Sequence, residues 1–185
     1  MFIDFLRQIN WLDIFVLILL VRICYISIKN GLPVQLFWFL GSISAVYLSL
    51  HYYASFSAFL GKRFPSEWMP AEYWSLAAFV LLAIVGYFSF VLLQKLFSRY
   101  ITLQATPRLN KYGGLVLGAL RGILVVGLII FLFSISSVAY LQNTVSHSYS
   151  GQHFFKVAPA TYTWLWKNIM SKFMTSERSN ADVQK

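Results

Sequence analysis

Four long apolar segments, separated by short polar or charged linkers, dominate the pattern of this chain. They cover residues 11–28, 33–52, 73–97 and 113–141. An α-helix rises about 1.5 Å per residue, so about 20 apolar residues are needed to cross a ~30 Å hydrocarbon layer. The surface helices of a soluble domain would instead present a polar face to water. The pattern therefore predicts an all-α, polytopic membrane protein with four transmembrane helices within residues 1–141.

The pattern changes after residue 141, where the chain becomes more polar. Residues 142–174 are predicted to form an extramembrane segment, and residues 159–174 within it to form an amphipathic helix at the membrane interface. Its predicted apolar face consists of Tyr162, Leu165, Trp166, Ile169 and Phe173. Residues 175–185 are predicted to be a disordered tail.

Composition supports the membrane prediction and narrows the functional classes. Hydrophobic residues make up 58% of the chain and charged residues only 11%, well below the roughly 25% of soluble domains. The net charge of +9 does not indicate nucleic-acid binding, because Lys and Arg serve membrane proteins as topology signals and contacts to acidic lipids. Many aromatic residues, Trp38 and Tyr52 among them, fall near predicted span ends and indicate an interfacial belt. The single cysteine, Cys24, excludes an internal disulfide.

The distribution of basic residues predicts the orientation. Linkers one and three share one side of the membrane and carry Lys29, Lys95, Arg99, Arg108 and Lys111. The other side carries Arg7, Lys62, Arg63 and Lys156 close to the spans. Because basic loops stay in the cytoplasm, the sequence favours linkers one and three inside and both termini outside.

Small residues recur at four-residue spacing on two of the predicted spans. The fourth span carries Gly114, Gly118 and Gly122, and the second carries Gly41, Ala45 and Ser49. Such stripes allow helix backbones to approach closely inside a membrane. We therefore predict helix packing along both stripes, either against each other or against another span.

Two arginines lie inside predicted spans, and both form part of a candidate intramembrane polar site. Arg121 is about eight residues into the fourth span, roughly 12 Å from its start, and Arg22 is a similar distance from the end of the first span. The chain order places both at similar depth in one leaflet, with Gln35 and Asn110 near the same side. We interpret Arg121, Arg22 and Gln35 as a possible site for an anion, an acidic lipid headgroup or a partner carboxylate. The alternative is that each arginine reaches the phosphates without a specific partner.

The other chemistry-bearing residues do not indicate catalysis. His51, His147 and His153 are not at metal-ligand spacing, and the chain lacks the common protease, hydrolase and nucleotide fingerprints. Asp13 at the start of the first span is interpreted as a helix N-terminal charge rather than a proton carrier. We therefore expect no catalytic residue, no cofactor, no metal site and no enzyme activity.

Several short motifs resemble one known family. They are Trp11-Leu12-Asp13, Gly31, His51-Tyr52-Tyr53 and Gly118-Ala119-Leu120-Arg121-Gly122. Over residues 10–140 the chain resembles the colicin V production protein (CvpA) family. It differs from that pattern at Gln35, where the family carries an acidic residue, and at Asn110-Lys111, where the family carries Asp-Arg.

The resemblance implies a location and a process. Members of that family are four-span proteins of the bacterial inner membrane that are linked to colicin V production and to envelope homeostasis. The expected partners are the lipid bilayer with its acidic lipids, and a second membrane protein or a second copy of the chain. A small channel or transporter, for example for anions, is the alternative function. A polar lumen would favour the transporter, whereas a dry core of small residues would favour the first interpretation.

Overall fold

The computed structural model describes residues 10–64, 70–100 and 106–174, together with Asn180 and Val183. Every regular element in these residues is helical, which confirms the all-α prediction. The elements are α1 (Trp11–Arg63), α2 (Ala71–Tyr100), α3 (Pro107–Ile135), α4 (Ala139–His147), α5 (Tyr149–Phe154), α6 (Val157–Leu165), a π-helical turn (Trp166–Met170) and α7 (Ser171–Phe173). Helices α1, α2 and α3 are long and apolar enough to cross a membrane. By the length and composition of these helices, the chain is a membrane protein.

Helix α1 is interrupted at Gly31, which divides it into a first arm (residues 11–30) and a second arm (residues 32–63). Gly31 has φ 75° and ψ 173°, a left-handed conformation that favours glycine because glycine has no Cβ. Asn110, near the start of α3, occupies the space beside Gly31. Its Oδ1 accepts a hydrogen bond of 2.8 Å from the N–H of Leu32. The interruption lies in the linker that the sequence predicts between its first two apolar segments.

The first arm packs antiparallel to α3 through the glycines of α3. A Cβ at Gly114 would lie 2.9 Å from the carbonyl oxygen of Ser27, and one at Gly122 would lie 2.9 Å from Cδ2 of Leu20. A Cβ at Gly118 would overlap the Ser27 side chain. The three glycines therefore allow the two helices to approach closely.

The second arm packs antiparallel to α2 through the other small-residue stripe. A Cβ at Gly86 of α2 would lie 2.8 Å from Cα of Ala45, and one at Gly41 would lie 3.0 Å from the carbonyl oxygen of Tyr87. Ser49 is fully buried, and its hydroxyl donates to the carbonyl oxygen of Ala45 at 2.6 Å. The two predicted stripes therefore face different helices rather than each other.

Three helix boundaries differ clearly from the predicted ones. Helix α3 begins at Pro107 and not at residue 113. Proline is favoured in the first turn of a helix, because a backbone N–H at that position would have no acceptor within the helix. It ends at Ile135 rather than residue 141, since Ser136 adopts an extended conformation. The second arm continues to Arg63, beyond the predicted end at residue 52.

The C-terminal part of the chain folds back on the bundle, and residues 157–173 are continuously helical with a π-helical turn between α6 and α7. Tyr162 is fully buried and Leu165 nearly so, whereas Phe173 is 81% exposed. The π-helical turn at Trp166–Met170 adds a residue to the helical repeat, so the predicted apolar face divides there. Its buried part packs in a core cluster with Val46, Tyr47, Leu50, Phe79, Phe131 and Ala158.

The predicted tail, residues 175–185, lies outside the described residues except for Asn180 and Val183. The Asn180 side-chain amide donates to the carbonyl oxygen of Leu50 at 2.7 Å, and its backbone N–H donates to the Tyr162 hydroxyl at 2.8 Å. Val183 is buried in the same core cluster. These two residues therefore contact the bundle.

Candidate functional site

Arg121 lies in the middle of α3 and is only 6% exposed. The neighbouring glycines, Gly118 and Gly122, contact the first arm, whereas Arg121 contacts the second. Its Nη1 donates to Oε1 of Gln35 at 3.1 Å. Its guanidinium carbon lies 4.9 Å from the centre of the Trp38 ring, a distance at which a cation is attracted to the face of an indole. We call Arg121, Gln35 and Trp38 the arginine cluster.

The break in α1 places the second arm against Arg121. Gln35 and Trp38 are three residues apart on that arm, so they project from the same side of the helix. The arm begins directly after Gly31, whose position is fixed by the hydrogen bond between Asn110 and the Leu32 N–H. Because Asn110 and Arg121 belong to the same helix, this contact sets where Gln35 falls along α3. Gln35 is fully buried there.

The arginine cluster contains hydrogen-bond donors without acceptors. Nε of Arg121, Nε2 of Gln35 and Nε1 of Trp38 are each buried without a hydrogen-bond partner in the described part of the chain. Gln35 Oε1, which accepts from Arg121, is the acceptor that the cluster itself supplies. Leaving a buried donor unpaired costs about 1–3 kcal/mol, and more for a charged group. The arrangement is therefore incomplete as a structural hydrogen-bond network.

The arginine cluster also contains a cation without an anion. Of the acidic residues, Asp13 is the one whose side chain belongs to the described part of the chain. Its two carboxylate oxygens accept hydrogen bonds from the backbone N–H groups of Asn10 and Ser150. Among the described side chains, none places a carboxylate on Arg121. A guanidinium at the centre of a span costs about 2.5–3.5 kcal/mol on insertion scales. The Trp38 ring returns roughly 1–2 kcal/mol of this, and the guanidinium has no counter-ion among the described side chains.

The structure does not bring Arg22 into the arginine cluster. Arg22 is exposed, whereas Arg121 and Gln35 are buried. The adjacent residue, Ile23, is buried and contacts α3 near Gly122. Neighbouring positions on a helix point about 100° apart, so Arg22 turns away from α3 while Ile23 faces it. Similar depth in the membrane did not establish a shared face.

Asp13 caps helices at the opposite end of the first arm, as the sequence predicts. It forms a reciprocal capping box with Asn10, whose backbone N–H it accepts at 2.9 Å. Its other oxygen accepts the Ser150 N–H of α5 at 2.7 Å. Asn10 also donates to the carbonyl oxygen of Thr144 at 3.5 Å. We call Asp13, Asn10 and Ser150 the Asp13 junction; it ties α1 to the C-terminal helices.

Trp38 is the member of the arginine cluster that the sequence analysis missed. Its position near one end of an apolar segment predicts a place in the interfacial aromatic belt, whereas in the structure it contacts Arg121. Its spacing of three from Gln35, a predicted site residue, was the available signal that both lie on the same face.

A second polar contact joins the second arm to α6. The hydroxyl of the buried Tyr162 and Nδ1 of His51 are 2.9 Å apart, and the His51 ring stacks on Trp166 with a centroid distance of 5.1 Å. Across the part of the chain that the structure describes, no three His, Cys, Asp or Glu side chains lie close enough together to hold a metal ion. The contacts of His51 with Tyr162 and Trp166 join the C-terminal helices to the second arm.

The comparisons with known proteins match most of the chain to one family. The model of the family described as Colicin V production protein matches residues 12–159, which is well over half of the chain. Neither the comparison with curated proteins nor that with solved structures gave a match. The matched region contains Asp13, the break at Gly31 and the arginine cluster. The resemblance carried by the segment from Gly118 to Gly122 is thus confirmed, and the chain belongs to the Colicin V production protein family.

Proposed function

We propose that this protein is a four-span protein of the bacterial inner membrane that acts, without catalysing a reaction, in colicin V production and envelope homeostasis. The observation that carries the proposal is the arginine cluster. A buried, unneutralised arginine is expensive inside a membrane, and a chain that only had to cross the bilayer would insert more readily with leucine at that position. Arg121 lies within the region matched by the family. We therefore place the functional centre of the protein at Arg121.

The helix arrangement supports four crossings. The first arm, at about 1.5 Å per residue, is roughly 30 Å long, which equals the thickness of the hydrocarbon layer. The first arm is antiparallel to α3, whereas the second arm runs parallel to α3, because Leu32 contacts Asn110 and Gln35 contacts Arg121 further along. The chain therefore reverses direction at Gly31. In this arrangement both termini lie on the side opposite to Gly31 and the start of α3. The slight excess of basic residues beside Gly31 and α3 supports a cytoplasmic location for that end.

The topology is tested with reporter fusions. Fusions at Ala105 and after Lys185 should report opposite compartments, with Ala105 in the cytoplasm. The same compartment for both would contradict four spans. A cytoplasmic Lys185 with an external Ala105 would leave the four spans intact and reverse the orientation.

The role of Arg121 is tested by complementation of a deletion strain. Toxin release and survival under bile-salt or detergent stress are measured, with the membrane abundance of each variant determined in parallel. Arg121→Leu should insert at normal abundance and lose function. Arg121→Lys should retain part of it if charge suffices, and none if the forked guanidinium is required. Arg22→Leu, at an exposed arginine, should retain function. Full rescue by Arg121→Leu would refute the proposed centre.

An anion channel or transporter is the second candidate, and the unneutralised charge of Arg121 is the observation that favours it. The close glycine contacts of the first arm with α3 favour a dry core instead. Anion flux into liposomes that contain the purified protein separates the two. We expect no flux above that of protein-free liposomes, and an Arg121-dependent flux would establish the transporter.

A further inference from the structure

A cavity of about 300 Å³ lies beside the arginine cluster, between α2, α3 and the second arm. Arg121, Tyr87, Ser42, Ala45, Ala83 and Leu128 are among its lining residues. The Ser42 hydroxyl already donates to the carbonyl oxygen of Trp38 at 3.0 Å. Two further lining residues of α2, Ile84 and Phe88, are 50% and 60% exposed. The cavity therefore reaches the outer surface of the bundle along α2, where lipid chains lie.

The cavity has a polar end and an apolar end. Arg121 lies on the side of the Gly31 break, and the α3 residues that continue the lining are Leu124, Val125 and Leu128. From Arg121 to Leu128 is about 10 Å along the helix, directed away from the Gly31 break. A cation at one end of an apolar wall about 10 Å long matches a molecule with an anionic head and a hydrocarbon chain.

The polar end of the cavity is the place for an anionic head. The donors on Arg121, Gln35 and Trp38 that lack partners are close to the head position, and each requires an acceptor. An oxyanion supplies several acceptor lone pairs at once.

We propose that this cavity binds a single-chain anionic amphiphile, such as a long-chain fatty acid, with its carboxylate on Arg121 and its chain directed toward Leu128. Ligand sites span about 300–1,000 Å³, so the volume here suits one hydrocarbon chain, part of which continues into the bilayer, and not two. The proposal deepens the role of Arg121 and rests on the proposed function for that role. The binding itself is measured without reference to toxin release.

The first experiment measures binding of radiolabelled palmitate to the purified full-length protein in a nonionic detergent. Palmitate should bind saturably, and methyl palmitate, which has the same chain without the charge, should compete at least about tenfold more weakly. Equal competition by methyl palmitate would overturn the proposal. Displacement by acetate or inorganic phosphate at the same concentrations as palmitate would also overturn it, because the site would then be one for a free anion.

Three variants test the position of the carboxylate. Arg121→Gln should weaken palmitate binding at least about tenfold, whereas Arg22→Gln, which removes an exposed arginine, should leave it unchanged. Gln35→Glu should also abolish binding, since its own carboxylate would occupy the guanidinium. The Glu variant should unfold at the same or a higher temperature than the unchanged protein, so loss of binding cannot be attributed to misfolding. Equal loss in the Arg22 and Arg121 variants would overturn the proposal.

A photoreactive palmitate with a diazirine in mid-chain tests the position of the chain. Irradiation should label the peptides that contain Leu124–Leu128 or Ala83, and Ala83→Leu should abolish the labelling by filling the cavity. Labelling restricted to the first arm would overturn the proposed orientation. If palmitate fails to bind but Arg121→Leu still loses complementation, the amphiphile is refuted while the proposed centre at Arg121 remains.

Discussion

Helix α3 presents two different faces to the two arms of α1. Toward the first arm it presents Gly114, Gly118 and Gly122, which contact Ser27 and Leu20 so closely that a Cβ would not fit without displacement. Toward the second arm it presents Arg121, a large charged side chain with an unpaired Nε and a cavity beside it. One face is closed and complementary in shape, whereas the other is open and incomplete in its hydrogen bonding.

The difference separates a role in stability from a role in binding. Close packing of small residues stabilises helix association in a membrane through van der Waals contact and needs no further partner. The arginine cluster has more donors than acceptors and a charge without a counter-ion in the described side chains. Burial alone does not distinguish the two faces, because both are buried. The balance of donors, acceptors and charge does.

The largest expected effect is on the glycine face. Gly118→Leu would place a branched side chain where the Ser27 side chain already lies, so the first arm must move away from α3. Overpacking of this kind typically costs about 1–3 kcal/mol and sometimes more, and we expect the upper end because a helix backbone stands behind Ser27. Thermal unfolding in detergent, followed by circular dichroism, measures the loss.

The matched control for this change is Leu117→Ile, one position earlier on the same helix. It conserves volume and should cost less than about 1.5 kcal/mol. If both variants unfold at the same temperature as the unchanged protein, the glycine face does not carry the packing, and the contrast between the two faces of α3 disappears.

The second effect is on the arginine face and has the opposite sign. Gln35→Glu places a carboxylate at 3.1 Å or less from the Arg121 guanidinium, where the amide oxygen now lies. The Arg121–Gln35 hydrogen bond already has one charged partner, and a carboxylate would add the attraction of an opposite charge in a buried site. We therefore expect a gain of roughly 1–2 kcal/mol in stability together with loss of complementation, because the arginine is then satisfied internally.

Gln35→Leu provides the comparison for the arginine face. It removes the acceptor for Nη1 of Arg121, so stability should fall by about 1–3 kcal/mol. A gain for Glu and a loss for Leu would show that the site lacks an anion. If Glu destabilises the protein as much as Leu does, Arg121 is already neutralised by some other group.

Much of this architecture follows from the sequence because hydrophobicity and backbone chemistry decide it locally. The apolar segments became the long helices, and Gly31 became the break because only glycine adopts its conformation without strain. Membership of the family followed from short motifs such as Gly118–Gly122 and was confirmed over residues 12–159. Gln35 was recognised as a neighbour of Arg121 from its depth alone.

The features that sequence could not supply depend on tertiary contacts. Depth in the membrane follows from distance along the chain, but the face on which a residue lies depends on which helix packs there, and so Arg22 was grouped with Arg121. The C-terminal segment has the periodicity of one amphipathic helix, yet Tyr162 finds a buried partner in His51 and the helix changes to a π-helical turn after Leu165. Tyr162 and His51 are 111 residues apart in the sequence, so the sequence does not show that they meet.

The smallest expected effect is at the Asp13 junction, a polar site that differs from the arginine cluster in being satisfied. Asp13 accepts the N–H groups of Asn10 and Ser150 with its two oxygens. Asn in its place keeps one acceptor and turns the other into a donor, so one hydrogen bond is lost at a cost of about 1 kcal/mol.

Thr106→Ala is the matched control, since Thr106 is the N-cap residue of α3 and makes no side-chain capping hydrogen bond; it should cost only a few tenths of a kcal/mol. Thermal unfolding in detergent measures both variants, and complementation should remain normal in Asp13→Asn because Arg121 is unaffected. If Asp13→Asn lost complementation at unchanged stability, the Asp13 carboxylate would have a functional role although its hydrogen bonds are satisfied. The balance of donors and acceptors would then not distinguish the arginine cluster as the functional site.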